Sequence, residues 1–156
     1  MTTTNKFLAV CKKCGARCCK MGGPNFTEKE MKRVLKNGHK NFFFKVRKGI
    51  YELESKNAIC DYLNEDYSCE IENCKPAICL AWPVLPKFEG KKKHFIVINC
   101  PLTKTLSKKQ ITACRKDANR VSKKLMDAAF DMSTVSKSIA KLIETRYRRF
   151  KLIKYA

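Results

Sequence analysis

Four cysteines fall within nine residues near the start of this 156-residue chain, Cys11, Cys14, Cys18 and Cys19 in the run CKKCGARCC, and six more follow. Thiols at that density are oxidation hazards unless they have partners, which are either one another in disulfides or a metal. The opening residues MTTTNKFLAV show no basic segment leading into a long apolar stretch and no small-residue cleavage site, so no export signal is expected. No run approaches the ~18 apolar residues that span a bilayer. The expectation is a cytoplasmic protein without a membrane segment. In that reducing setting such spacings bind metal, and any fold must first bring thiolates together.

A chain of 156 residues is one domain on the usual length scale. Its formal charge of +20 would draw phosphate backbones or other polyanions. The charge is uneven: residues 1–86 carry 15 basic and 9 acidic side chains, residues 87–156 carry 19 and 5. Nine of the ten cysteines lie at or before Cys100. The chain therefore reads as a cysteine-rich metal-binding body over 1–102 and a basic helical extension over 103–156, within a single domain.

The elements follow from local signals. Thr27-x-x-Glu30 forms a capping box that starts a helix running from Glu28 to about Asn37, with Gly38 as its left-handed terminus. NFFFKV and GIYELE flank Arg47-Lys48-Gly49 as a β-hairpin, and HFIVINC is a further strand after Glu89-Gly90. The second cysteine region, from Ile59 to Pro86, is rich in Asn, Asp and Pro and reads as loop with short helical turns. Ser107-x-x-Gln110 is another capping box. Ile111, Cys114, Ala118, Val121, Leu125, Ala128 and Met132 keep 3–4 spacing, which predicts one helix of about six turns. Val135, Ile139, Leu142, Ile143, Tyr147, Phe150 and Ile153 predict a second amphipathic helix. The fold class is α+β: a small metal-stabilised body with short β-hairpins, plus C-terminal amphipathic helices.

Cys11 and Cys14 have the C-x-x-C spacing, in which two loop residues let both sulfurs reach one ion. Cys18 and Cys19 are adjacent, and adjacent side chains diverge, so they are expected to serve two neighbouring sites or one polynuclear centre. The remaining ligands come from Cys60, Cys69, Cys74, Cys79 and Cys100, the last in a Cys-Pro step of the kind found in ferredoxin ligation. The radical C-x3-C-x2-C pattern fails because its third position is Met21. Cys114 lies on an apolar helical stripe and reads as core, Cys74 stays open between ligand and bystander, and His39 and His94 sit apart from both cysteine groups. Without Cys74 and Cys114, eight cysteines remain, the number that two four-thiolate sites require.

These residues resemble the CxxCxxCC cysteine-cluster family, described as zinc- or iron-chelating domains. The resemblance runs from about Phe7 to Leu102 through CKKCGARCC, CDYLNEDYSCEIENCKPAIC with Trp82-Pro83, and Asn99-Cys100-Pro101. Its middle pattern is similar to C-x-x-L, C-x-I and R-P-x-x-C, which falls on Cys60, Leu63, Cys69, Ile71, Lys75-Pro76 and Cys79. The chain departs from the family in having three residues before the cysteine pair and Lys75 where Arg is usual. The resemblance implies metal ligation by Cys11, Cys14, Cys18, Cys19, Cys60, Cys69, Cys79 and Cys100. One relative is a flagellin lysine methylase, but no glycine-rich cofactor loop is present here.

The leading expectation is iron–sulfur binding, the alternative structural zinc. A partner RNA or ribonucleoprotein is expected through Lys91, Lys92 and Lys93 on a turn and Arg146, Arg148 and Arg149 on the last helix. There Tyr147 and Phe150 interleave aromatic rings with the charges. On the alternative reading the protein is a structural zinc module of a nucleic-acid- or ribosome-associated protein, or a redox or metal-dependent modifying enzyme. No Ser/His/Asp set, paired carboxylates or P-loop points to hydrolysis.

Overall fold

A computed structural model describes residues 3–20, 22–98, 100–129 and 152–155. The order begins with α1 (Thr3–Cys14) and a 3-10 turn (Arg17–Lys20), followed by β1 (Phe26–Thr27), α2 (Glu28–Lys36), β2 (Phe43–Arg47) and β3 (Ile50–Leu53). Then come α3 (Ala77–Ala81), β4 (Val84–Glu89), β5 (Lys92–Ile98), α4 (Lys108–Asn119), α5 (Lys123–Ala129) and β6 (Leu152–Tyr155). Two three-stranded antiparallel sheets result, ordered β1-β3-β2 and β4-β5-β6. The protein is α+β.

The local signals produce their elements. Thr27 and Glu30 close the capping box of α2, and Gly38 at φ +84° takes the left-handed position after it. β2 and β3 pair across the Arg47–Ile50 turn. Three cores hold the layers. Phe26, Val34, Leu53, Tyr62 and Ile71 gather under the first sheet. On β5 the alternation of a strand separates two further cores: Ile96 and Ile98 meet Val121 and Leu125, whereas Val97 meets Ala118 and Ala81.

The expected six-turn helix is two helices. Its stripe divides between cores, with Ala118 beside Val97 and with Val121 and Leu125 beside Ile96 and Ile98, so the chain must turn between them. The break is chemically satisfied: Lys93 Nζ donates to the carbonyls of Asn119 (2.7 Å) and Val121 (3.3 Å), and Ser122 Oγ accepts from Leu125 N–H (3.1 Å). A second correction concerns Ile153, assigned above to a helix. Leu152–Tyr155 is a strand pairing with Phe95–Ile98, because it completes the open edge of β5. The rest of that expected helix, with Arg146, Arg148 and Arg149, lies outside the described residues, as does most of the segment after Ala129. Among the described residues no helix is long and apolar enough to cross a membrane.

Candidate metal centre

Cys11 and Cys14 stand three residues apart on the last turn of α1 and so share a face. The spacer is helix, not the loop expected from C-x-x-C. Gly15 at φ +77° ends the helix, Ala16 N–H returns to the Cys11 carbonyl at 2.9 Å, and the following 3-10 turn carries Cys18 and Cys19. A backbone bond from Cys60 N–H to the Cys19 carbonyl (2.8 Å) brings the second cysteine region against this turn. Cys69 is held by its bridge to Leu63. Cys100 follows β5, its sulfur 3.7 Å from the Thr103 hydroxyl.

Cys79 lies on α3, and α2 positions that helix. The buried Glu30 carboxylate accepts from Thr27 N–H (2.8 Å) within the cap and from Ala77 N–H (2.9 Å) at the start of α3. Arg33 Nη2 donates to the Lys75 carbonyl at 2.8 Å. The segment Lys75-Pro76-Ala77 is thereby fixed at both ends, and the Lys75 ammonium pairs with Glu72 at 2.8 Å.

Among the described residues the thiols form two neighbouring groups. Cys11, Cys14, Cys18 and Cys100 line one small cavity of about 30 Å³, walled also by Val10, Trp82 and Leu102. Cys79 lies within electrostatic reach of Cys19, Cys60 and Cys69. The two groups meet at the adjacent Cys18 and Cys19 on the 3-10 turn, whose thiols influence each other's ionisation. All ten cysteines are free thiols. Among the described residues no group of three or more His, Cys, Asp or Glu side chains is closed around a position that would hold a metal ion.

The electrostatics follow from burial. It pushes Cys60 up to about 12 and Cys69 up to about 11, and lifts Cys79 well above its ordinary value, with neighbouring thiols adding to the last. Burial also raises Cys11, with Cys19 the next cause. Cys18 is raised by its hydrogen bond to Cys19 and then by burial, whereas Cys19 is lowered because that bond favours its thiolate. For Lys75 burial works to lower the ammonium, but Glu72 and the surrounding thiols outweigh it and leave it above the ordinary value. One positive charge is thus kept beside a set of groups that become negative on binding metal.

Two cysteines remain. Cys74 is buried in the Phe26–Tyr62 core with Arg33 as its nearby charge, and the same core holds Cys60, with Cys19 and Cys69 packed against it. Cys114 packs near Val97 and Ala118, its thiol 3.8 Å from the Trp82 carbonyl. His39 lies edge-on to Tyr62, and His94 pairs with Glu89 at 3.4 Å on the surface. Of the hairpin lysines, Lys91 and Lys92 are exposed, while Lys93 is engaged at the α4–α5 break. Sequence reasoning missed Lys75, Glu30 and Arg33 as the supports of the centre. The Thr27-x-x-Glu30 box signalled a cap but not the second bond of Glu30.

Fold and thiols together define a small α+β protein with two neighbouring groups of free cysteines. The chain matches no family model, no curated protein and no solved structure.

Proposed function

We propose that the protein binds metal through Cys11, Cys14, Cys18, Cys19, Cys60, Cys69, Cys79 and Cys100, and that the bound group is iron–sulfur. The observation that carries this reading is the approach of thiols from distant segments, with Cys11, Cys14, Cys18 and Cys100 around one cavity and Cys79 within electrostatic reach of Cys19, Cys60 and Cys69. The donor set is all sulfur, which fits iron–sulfur and zinc alike. Cys18 belongs to the cavity group and Cys19 neighbours the buried group, and adjacent cysteines that serve two sets of thiols suit a polynuclear centre. A cluster of this kind supplies one-electron chemistry. Lys75 would offset part of its negative charge, and the reducing cytoplasm would preserve its thiolates.

Zinc is the second reading. A cavity of about 30 Å³ among Cys11, Cys14, Cys18 and Cys100 has room for an ion, and four thiolates would bind it tetrahedrally. The test is metal analysis of anaerobically purified protein. Iron with acid-labile sulfide and a brown colour supports the first reading, and colourless protein with stoichiometric zinc supports the second. Less than one metal per chain defeats both.

A further inference from the structure

The α4–α5 break collects charge from elements far apart in sequence. Lys93, by bonding the Asn119 and Val121 carbonyls, draws the β4–β5 turn with exposed Lys91 and Lys92 against one flank of the break. On the other flank Lys124 Nζ donates to the carbonyl of Lys48, which brings in the β2–β3 turn. Arg120 and Lys123 occupy the break itself. Their acidic neighbours, Asp117 (3.3 Å) and Asp127 (2.7 Å), form exposed pairs that water and salt weaken. Six exposed cations, Lys48, Lys91, Lys92, Arg120, Lys123 and Lys124, thus share one end of the molecule.

Negative charge at this end, among the described residues, is limited to Asp117, Asp127 and Glu89, each paired with a neighbouring basic side chain, and it concentrates elsewhere. Residues 61–73 hold five acidic side chains and no Lys or Arg, and they belong to the thiol-bearing loops. Among the described residues the large exposed apolar side chains, Phe44, Ile59, Tyr67 and Leu80, lie outside the two turns and the break. A lipid-binding face would bury apolar side chains among its lysines, and a base-stacking platform would present exposed aromatic rings. The nearest rings here, Phe88 and Phe95, are half-buried and covered by Lys93. What it offers is a spread of ammonium and guanidinium groups suited to phosphates.

We propose that the α4–α5 break and its two flanking turns bind the phosphate backbone of nucleic acid, without reading bases. The site uses none of the thiols. It also differs from the terminal-helix site expected from sequence, since four of its six cations, Lys48, Arg120, Lys123 and Lys124, were not among the candidates.

The experiment is fluorescence anisotropy of the full chain with a 20-base-pair RNA duplex and the DNA duplex of the same sequence, each between about 50 and 200 mM salt. For about six phosphate contacts, log K falls against log salt with a slope of about −5. Neutralising Lys91, Lys92 and Lys123 together (K91Q/K92Q/K123Q) flattens the slope by about 2 to 3 and weakens binding at least about tenfold. The control triple K29Q/K32Q/K36Q removes equal charge from the exposed face of α2 and leaves most of the affinity. Binding of either duplex with this contrast supports the proposal, and their ratio identifies the source. Equal losses in both triples would mean that only net charge matters and would overturn it, as would retention on anionic vesicles with neither duplex bound.

Discussion

Cys60 and Cys69 are pushed up to about 12 and about 11 chiefly by burial, and Cys11, Cys18 and Cys79 are raised as well. At neutral pH these thiols keep their protons until a metal displaces them, so loading releases protons and tightens as pH rises. The sign for the metal-free protein follows from linkage. A thiol raised in the folded state contributes stability that is complete below its unfolded value near 9 and is lost as pH rises toward the folded value. Cys19, lowered by the Cys18 bond, works the other way, but five raised thiols outnumber it. Metal-free protein should therefore lose melting temperature between pH 8 and about 11, whereas loaded protein, whose thiolates are already ionised, should lose much less. Thermal scans of both forms across that range check this. Parallel pH profiles would contradict ligation by these thiols.

Among the elements, α2 couples the sheet to the centre. Glu30 satisfies Thr27 N–H within its own cap and Ala77 N–H on α3, and Arg33 holds the intervening Lys75 carbonyl. Glu30→Ala strands two amides in a buried setting and should cost about 2–4 kcal/mol. Ser107→Ala, at the exposed capping box of α4, should cost about 1 kcal/mol. Denaturant midpoints separate the two, and equal losses would show that the Ala77 bond carries no weight. Both capping boxes were legible in the sequence because each is complete within four residues. So were the hairpin from Phe43 to Leu53 and the strand at β5, which pair apolar alternation with a turn. The break between α4 and α5 was not, because the apolar stripe runs through it without interruption and the decision lies with Lys93, 26 residues upstream of Asn119. β6 was hidden for a related reason: Ile153 fits a helical spacing, and only the open edge of β5 makes the segment a strand. Helix α1 was masked by its own cysteines, whose spacing suits a ligand loop and a helix turn equally.

At the scale of the whole molecule, spacing and count offered eight cysteines as candidates but not their arrangement. That arrangement depends on bonds no spacing contains, such as Cys60 N–H to the Cys19 carbonyl, and on the 3-10 turn that carries Cys18 and Cys19. Charge is uneven as well, with five carboxylates in the loops at 61–73 and six exposed cations around the α4–α5 break, where Asp117 and Asp127 also stand. The proposed metal and polyanion sites would then occupy different parts of the fold. The proposed metal binding requires that sulfur alone surround the metal. X-ray absorption at the metal edge of anaerobically prepared protein reads this directly. The account predicts a first shell of sulfur only, at about 2.3 Å, that is lost or diminished in the Cys79→Ser variant. Nitrogen or oxygen in the first shell of the unaltered protein, or a spectrum unchanged by that substitution, would contradict it.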